Sequence, residues 1–390
     1  MHTYPKSKLV WPIVATIWLA ALSGCDLLFP PDDPPIECPH GYYLCGEDST
    51  DCCIDTTSHS FVWEIDTLGN TTISSLTGAF MVDENDIWVV GTISLDEIDS
   101  LTGVQVQFNA AHWDGTNWEL VRQLFASYIQ DSGAFGMIHA VYGFAHDDIW
   151  LFSSFGSYAY WNGERWTSEY VPERRGSVRA IWGNSSRDIY FVGSEGNITH
   201  YDGNTFQFME SGTRLRLWDV SGRDDHVFAV GHSEGQESIA LELRAGVWNT
   251  LYFSPTYFSD PDTMNFGRFN AVDVWGDTAY FATNAGLVKY NYLDRSTVHV
   301  TETRSDLLNA VPSQMMVSAP NDIMVVGLGA NILHFNGADW FSDDRIIDEL
   351  GWGDVFLKAG YYVGTNLVFA GRAGGGRRAV VVRGTRLPWR

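Results

Sequence analysis

The sequence predicts an all-β fold, a seven-bladed β-propeller that is closed by pairing of its N- and C-terminal strands. The first observation is a short phrase, Asp86–Gly91 in its first copy, which occurs seven times along the 390 residues. Its aromatic position is filled, in chain order, by Trp88, Trp150, Tyr190, Phe228, Tyr280, Met324 and Val368. Successive copies lie 38 to 62 residues apart, a period typical of propeller blades. The second observation is that short β-branched and aromatic runs alternate with Gly, Asn and Asp turns, without a helical period.

The third repeat shows the four strands of one blade most clearly. Its expected strands, from the channel outward, are residues 177–183, 188–193, 197–201 and 205–209. The second strand lacks polar alternation, which is typical of a strand buried on both faces between neighbouring blades. The third strand ends in an Asx-Gly pair in several repeats: Asp114-Gly115, Asn162-Gly163, Asp202-Gly203 and Asn336-Gly337. We predict that both residues of each pair adopt a positive φ at the centre of a hairpin turn, which flanking aromatic residues close.

Two repeats are longer than the others, and the last repeat is incomplete. A loop of 14 residues around Leu95–Val106 accounts for the longest gap, and an insertion at Tyr252–Gly267 accounts for a second. The seventh repeat ends with Ala379–Gly384 and has little chain left for an outer strand. Because Ser60–Thr67 precedes the first blade without a blade of its own, we expect it to pair with the last blade and remove the open sheet edge.

The N-terminus has the pattern of an export signal. Two lysines precede Leu9–Leu22, an apolar run of 14 residues that is short for a membrane span of about 20 residues. The run ends in Leu22-Ser23-Gly24-Cys25, which resembles the lipobox of bacterial lipoproteins. The resemblance implies that residues 1–24 are a cleaved signal peptide and that Cys25 carries the lipid that holds the mature chain on the membrane. The alternative is an ordinary signal peptide that contains a cysteine. Which membrane leaflet is used stays open.

A tether and a disulfide-rich segment are expected between the anchor and the propeller. Residues 25–37 hold the lipid anchor and a proline-rich stretch, which favours an extended, semi-rigid tether. Residues 38–59 contain Cys38, Cys45, Cys52 and Cys53, an even and clustered set that indicates two disulfides in an exported chain. Adjacent cysteines pair poorly, so Cys38 bonds either Cys52 or Cys53, and Cys45 bonds the other. A zinc site of four thiolates is the alternative. The propeller is expected to occupy residues 60–390.

The repeats also resemble those of uncharacterised β-propeller lipoproteins that bacteria export. The shared pattern is Trp-Gly, a short turn, Asp-Val-Trp-Ala-Val-Gly, and then His-Trp/Tyr-Asp-Gly-x-x-Trp. The third repeat carries it as Trp182-Gly183, Asp188–Gly193 and His200–Gly203. The resemblance covers about residues 60–390 and weakens in the last blades, where aliphatic residues replace the aromatic one. It implies a propeller on the extracytoplasmic side of the cell envelope, and it implies no established activity.

Charge and motifs limit the chemistry that we expect. The 48 Asp and Glu residues outnumber the 24 Lys and Arg residues, and the net charge of −24 argues against nucleic-acid binding. One acid recurs at the start of the second strand, as Asp86, Asp148, Asp188 and Asp322. Because its position is the same in each repeat, we interpret it as a turn-holding residue that accepts backbone N–H groups. Hydrolase, zinc-protease and phosphate-loop motifs do not occur, and the insertions do not complete a calcium loop. The sequence therefore names no catalytic residue, no cofactor and no metal.

Two tryptophans do not fit the repeat. Trp218 and Trp352 lie near the starts of inner strands, at the mouth of the predicted channel, where propellers bind ligands. Four polar residues complete a candidate ligand-binding rim: His139, Arg179, Arg216 and Asn270. The alternative is that these residues are ordinary polar side chains lining a channel.

The sequence leaves three functional hypotheses open. The first is a monomeric, lipid-anchored propeller that binds a protein or a glycan at the cell envelope. The second is a glycan hydrolase or lyase with its site at the channel mouth, which two inward carboxylates roughly 5–10 Å apart would favour. The third is a rigid scaffold for display.

Overall fold

The computed structural model confirms the seven-bladed, ring-closed β-propeller. It describes residues 42–44, 52–54, 56–70, 73–100, 103–126, 134–154, 156–171, 177–234, 237–256, 266–300, 311–329, 332–350, 355–374 and 378–388. Each blade is a four-stranded antiparallel sheet, and its strands follow chain order from the central channel outward, apart from the closing strand of blade 7. Within the ranges above, no helix is long and apolar enough to cross a membrane.

The strands have the following bounds. Three precede the first complete blade: β1 (Tyr42–Leu44), β2 (Cys52–Ile54) and β3 (Phe61–Leu68). Blade 1 contains β4 (Ser75–Asp83), β5 (Asp86–Ile98), β6 (Gln105–Trp113) and β7 (Trp118–Val121), and a small two-stranded sheet follows it, β8 (Leu124–Phe125) with β9 (Ala134–Phe135). Blade 2 contains β10 (Ile138–Ala145), β11 (Asp148–Ser153), β12 (Ser157–Trp161) and β13 (Trp166–Tyr170). Blade 3 contains β14 (Val178–Ser185), β15 (Asp188–Gly193), β16 (Ile198–Tyr201) and β17 (Phe206–Met209).

The remaining blades repeat this plan. Blade 4 contains β18 (Leu217–Arg223), β19 (His226–His232), β20 (Ser238–Arg244) and β21 (Val247–Ser254). Blade 5 contains β22 (Phe269–Trp275), β23 (Thr278–Thr283), β24 (Gly286–Asn291) and β25 (Thr297–Val300). Blade 6 contains β26 (Pro312–Ala319), β27 (Asp322–Gly327), β28 (Ile332–Phe335) and β29 (Trp340–Ser342), followed by the short helix α1 (Arg345–Leu350). Blade 7 contains β30 (Phe356–Val363), β31 (Asn366–Ala373), β32 (Arg378–Arg386) and, as its outer strand, β3.

The ring closes through β3, as the sequence predicts. This strand pairs with β32 along its whole length, from Phe61 opposite Arg386 to Leu68 opposite Ala379. The first strand of the propeller therefore completes the last blade, and the backbone groups of β32 are paired on both sides.

The hydrophobic core lies between the blades. Between blades 1 and 2, Phe80 and Trp88 pack against Ile149 and Leu151, and all four are buried. Burying a side chain of this size contributes about 1.5–3 kcal/mol, so each seam is a substantial part of the fold. The apolar second strands follow from this arrangement, because both of their faces meet a neighbouring blade.

The recurring acid is structural, but its partner differs from our expectation. It bonds a histidine of the third strand of the same blade rather than backbone N–H groups. The pairs are Asp86 Oδ1 with His112 Nε2 at 2.8 Å, Asp188 Oδ1 with His200 Nε2 at 2.7 Å and Asp322 Oδ1 with His334 Nε2 at 3.0 Å. In blade 2 a tyrosine, Tyr160, replaces the histidine, and Asp148 accepts from Trp150 Nε1 at 2.9 Å instead. In blades 1, 3 and 6 the acid thus links the second strand to the third.

The Asx-Gly turns also differ by one residue from our prediction. The N–H of Asp114 donates to the carbonyl of Asn117 at 3.2 Å, so Gly115 and Thr116 are the central residues. Only the glycine has a positive φ, 89°, at the position where type II′ hairpin turns require it. Asp114 is instead the first residue of the turn, and its Oδ1 accepts the N–H groups of Thr116 and Asn117. The predicted aromatic closure is present, with the rings of Trp113 and Trp118 centred 5.6 Å apart.

The insertion around Leu95–Val106 is in part a strand extension, because β5 reaches Ile98 and β6 begins at Gln105. β5 and β6 continue into it, with Ile93 opposite Phe108 and Ile98 opposite Gln105. Extending an antiparallel pair satisfies backbone groups that a free loop would leave to water. Of the second insertion, residues 257–265 lie outside the described residues.

The segment before the propeller is only partly described. β1 and β2 form an antiparallel pair with Tyr42 opposite Ile54, and Cys52 and Cys53 lie in β2. Cys25, Cys38 and Cys45 lie outside the described residues, together with the signal peptide and the tether. The lipid attachment and the disulfides therefore remain predictions.

The chain enters the propeller at blade 6, at the end of the ring where inner strands finish. The N–H of Thr57 donates to the carbonyl of Asn336 at 3.0 Å, and its hydroxyl donates to the carbonyl of Asn321 at 2.8 Å. His59 bonds Asp339 at 3.0 Å. Asn321 lies just before β27, in the turn that follows the inner strand β26. An inner strand of eight residues is about 25 Å long, and the entry point is separated from the other end of the channel by that length.

Candidate functional site

Each of the seven inner strands carries a β-bulge near its start. The register of every inner strand with its neighbour skips one residue, and this unpaired residue is different in each blade. In chain order the skipped residues are Thr77, His139, Arg179, Trp218, Asn270, Ser313 and Lys358, which we call the bulge ring. All seven line one central cavity of about 640 Å³. A bulge re-aims a side chain where it locally interrupts the pairing of two strands, so the repeat presents seven non-repeating side chains at one mouth of the channel.

The small members of the bulge ring tie neighbouring blades together. Thr77 Oγ1 donates to the carbonyl of Ile138 at 2.8 Å, and Ser313 Oγ donates to the carbonyl of Leu357. Each acceptor is the residue just before the bulge of the next blade. These contacts fix the positions of His139 and Lys358, which follow the two acceptors in sequence.

Most of the rim predicted from the sequence comes together at this mouth. His139, Arg179, Trp218 and Asn270 belong to the bulge ring, and Arg216 lies beside it with its guanidinium carbon 5.0 Å from the centre of the Trp218 ring. Trp352 lies outside the described residues. Asn270 donates to the carbonyl of Arg268 at 3.1 Å, so its amide supports the backbone of the mouth.

Trp218 holds charged groups in place rather than offering an open ring face. The imidazole of His232 stacks on it, with centroids 5.2 Å apart and planes 26° from parallel. The guanidinium carbons of Arg179 and Arg216 lie 5.5 Å and 5.0 Å from its centre, within the range of cation–π attraction. With three groups already on the indole, little of its surface is left for stacking a sugar.

Positive charge is concentrated at the mouth. Burial and the nearby Arg372 and Arg179 lower the pKa of Lys358 to about 8. Burial, together with Arg179 and Lys358, lowers the pKa of His139 to about 4, so His139 is neutral at pH 7. Burial and then Arg216 also lower the pKa of Arg179. Each shift has the same cause: cations share a partly desolvated space, where the charged form is disfavoured.

Two buried polar atoms at the mouth have no partner. His139 Nδ1 and Arg179 Nε form no hydrogen bond within the described part of the chain. Buried donors and acceptors are nearly always satisfied in folded proteins. Their positions in the lining of an open cavity therefore indicate where a polar group of a ligand would bind.

The carboxylates of the cavity serve the fold. Among its described lining residues, the carboxylates are those of Asp219 and Asp273. Asp219 accepts the N–H of Val272 at 3.0 Å, and Asp273 accepts the N–H of Val317 at 2.7 Å. Each bond joins the inner strand of one blade to that of the next. Burial raises the pKa of Asp219 to about 8 and that of Asp273 to about 6.

Sequence reasoning missed Thr77, Ser313 and Lys358 as members of the ring. The only trace in the sequence is the apolar residue that directly precedes each ring residue, such as Leu357 before Lys358. That register becomes visible only when the bulge is known, since period-2 alternation alone places the residue on the wrong face.

Comparisons with known proteins agree on the fold. No protein-family model and no curated protein matches the chain. The solved structure of YCF48 bound to a D1 peptide is similar, with a TM-score of 0.57 and 14% identity over 82% of this chain and 94% of that chain. YCF48 from Cyanidioschyzon merolae has a TM-score of 0.53 and 14% identity over 82% and 98%. The computationally designed Ika8 protein has a TM-score of 0.50 and 12% identity over 80% and 98%. At such identities the likeness shows the fold alone, and the class of protein is a β-propeller.

Proposed function

We propose that this protein is a lipid-anchored β-propeller that binds a segment of a protein partner at its channel mouth, on the extracytoplasmic side of the cell envelope. The observation that supports the proposal is the bulge ring. Its framework repeats from blade to blade, whereas its seven side chains differ and open onto one cavity of about 640 Å³, a volume in the range of ligand pockets. A framework that served only for display would need no open cavity lined by seven different side chains.

Two further observations support a protein partner. YCF48, which has a similar fold, has been solved bound to a D1 peptide. Sugar recognition by Trp218, the other reading of the rim, is disfavoured because His232, Arg179 and Arg216 occupy its surroundings. A hydrolase is disfavoured because the two carboxylates of the cavity, Asp219 and Asp273, both accept backbone N–H groups and join neighbouring blades.

The anchor is supported by the lipobox resemblance at Leu22–Cys25 and by the point of chain entry. Thr57 and His59 contact blade 6 at the end of the ring that is opposite to the bulge ring. A chain held by lipid at Cys25 would therefore approach the propeller from the far end and leave the mouth accessible.

The proposal is tested by cross-linking in cells that express the full-length chain. A photoreactive phenylalanine is placed at Gln314, which lines the cavity, or at the exposed Gln207 of β17 on the outside of blade 3 as the matched control. A discrete protein adduct from position 314 that is absent from position 207 is the expected result. Absence of adducts at 314, or the same adducts at both positions, would refute binding at the mouth.

A further inference from the structure

The mouth of the channel has a charge opposite to that of the molecule. The chain carries 48 acidic residues and a net charge of −24, yet Arg179, Arg216, Lys358 and Arg372 gather at this one opening. Among the described residues, neither Arg179 nor Arg216 forms an ion pair, although acids are abundant elsewhere on the surface. Local focusing of one sign of charge in a cleft selects ligands of the other sign.

The cations are held in place without being neutralised. Lys358 Nζ donates to Ser75 Oγ at 2.9 Å, a neutral partner, and Arg179 and Arg216 lie near the Trp218 ring. These contacts fix the cations while leaving their charge uncompensated. Partly buried cations that lower the pKa of one another gain most from a bound anion.

The space beneath the cations is aromatic. Tyr142, Trp182 and Tyr361 line the cavity further along the inner strands, and the rings of Tyr142 and Tyr361 are centred 6.3 Å apart. A ligand that fits has an anionic group at the ring and an uncharged part that reaches the aromatic floor. Acidic residues in a peptide have this combination, because a carboxylate and neighbouring apolar or amide groups belong to one chain.

We propose that the mouth is a carboxylate-binding site that takes an acidic peptide segment, with Arg179, Arg216 and Lys358 as the residues that bind the carboxylate. This inference rests on the proposed function, since it names the chemistry of the partner at the same site. The planar guanidinium groups suit a carboxylate, which they bind through paired N–H donors. The unpartnered Nε of Arg179 supplies one further donor.

The experiment measures peptide binding to the full-length mature chain in detergent micelles by fluorescence anisotropy. The probes are a labelled peptide with five consecutive glutamates and its glutamine counterpart, each as a free C-terminal acid and as an amide. We expect the glutamate peptide to bind and the glutamine amide not to bind. Comparison of the acid and amide forms shows whether a side-chain or a C-terminal carboxylate is bound. The affinity is expected to fall as salt is added.

Variants locate the site. Arg179→Gln and Lys358→Gln are each expected to weaken binding of the glutamate peptide by about tenfold or more. Arg187→Gln is the matched control, because Arg187 is an exposed arginine in the turn at the opposite end of blade 3. It is expected to bind as the unaltered chain does. Circular dichroism and the melting temperature verify that every variant is folded, and removing one of several repelling cations is expected to leave the fold intact.

Three results would overturn the inference. The first is equal affinity for the glutamate and the glutamine peptides. The second is an equal loss of affinity for the glutamate peptide in Arg187→Gln and Arg179→Gln. The third is tighter binding of a polyuronate or a phosphorylated peptide than of the glutamate peptide. The two proposals fail separately. If Gln314 adducts persist in the Arg179→Gln chain, a partner binds at the mouth without carboxylate recognition. If adducts never form, the proposed function itself is wrong.

Discussion

The guanidinium carbon of Arg179 lies 5.5 Å from the centre of the Trp218 ring, and the two residues occupy the bulges of adjacent blades. In each blade the bulge aims its unpaired residue at the central cavity, and the two side chains therefore meet there. A fold made of near-identical units thus acquires a unique site at one register. The site is a property of the ring and not of any single blade.

Trp218 is expected to act through the arginines beside it. Trp218→Leu removes the cation–π contacts, each worth roughly 0.5–1 kcal/mol at a partly exposed site, and leaves all charges in place. We expect the affinity for the glutamate peptide to fall by about two- to fivefold, less than in Arg179→Gln. Anisotropy titrations of the two variants measure the difference. A larger loss in Trp218→Leu than in Arg179→Gln would mean that the ring itself binds the ligand.

The acid–histidine pair of blade 6 is expected to be the most important of its kind. Asp322 is buried, bonds His334 and Ser318, and pairs with Arg386 of β32, the strand that pairs with the closing strand β3. Asp322→Ala leaves these groups without their acceptor and is expected to cost about 3–5 kcal/mol. Asp148→Ala is the control, because Trp150 is its main partner in blade 2, and a loss of about 1 kcal/mol is expected. Chemical denaturation measures the free energy of unfolding of both variants. Equal losses of stability would contradict the special importance of the blade 6 pair.

The fold could be predicted from the sequence, because its signals are local and repeated. Seven copies of one phrase give the blade count, and Ser60–Thr67 without a blade gives the closure that β3 and β32 show. The hairpin turn of blade 1 is centred one residue later than we predicted, on Gly115 and Thr116. The Asp-Gly pair alone does not reveal this, because the Asp114 side chain bonds the N–H of Thr116 and does not take a central position in the turn.

The site could be predicted only in part. Trp218 stood out because it breaks the repeat, whereas Lys358 lies in a degenerate blade and gave no such contrast. The feature that all seven ring residues share is a register shift between two strands, and no residue type in the sequence indicates that shift. The cluster of cations likewise cannot be recognised in the sequence, since its members come from different blades.

Gly193, the last residue of the recurring phrase in blade 3, is expected to be required for the bulge. A methyl group there would lie 1.9 Å from the carbonyl oxygen of Ser177, just before the inner strand that carries Arg179. Because backbone atoms cannot move aside cheaply, Gly193→Ala should cost about 3 kcal/mol or more. At Gly246 no atom lies within 4 Å, but φ is 77°, so Gly246→Ala should cost only about 1 kcal/mol. The melting temperatures of the two variants are compared with that of the unaltered chain. An unchanged melting temperature in Gly193→Ala would refute the close approach of Gly193 to the Ser177 carbonyl.

The contact between blades 1 and 2 is expected to depend on pH. Burial raises the pKa of Asp86, but hydrogen bonds from His112 and His146 outweigh it, so its pKa is lowered. The bond to Asp86 raises the pKa of His146, whose Nδ1 lies 2.5 Å from the carboxylate. A lowered acid pKa stabilises the fold above about pH 4 and a raised histidine pKa stabilises it below about pH 6.5. The contribution of the Asp86–His146 pair to the stability of the fold is therefore greatest between these two pH values. It is lost as the pH rises through the folded pKa of His146.

His146→Gln tests this pH dependence. The side chain of His146 is 63% exposed, so solvent screens the pair and the loss should stay below about 1 kcal/mol. The difference in melting temperature from the unaltered chain should be largest near pH 5–6 and should vanish by about pH 9. A difference that is constant over this range would show that the histidine acts through packing alone.

Cys25 is expected to be the attachment site of the lipid. A radiolabelled fatty acid supplied to cells should label the unaltered chain and should not label Cys25→Ala, because the thiol is the acceptor that the lipobox resemblance implies. Cys52→Ala is the matched control, since it removes a cysteine of the predicted disulfide segment and leaves Cys25 in place. It should remain labelled and in the membrane fraction. Labelling that persists in Cys25→Ala would mean that the anchor lies elsewhere.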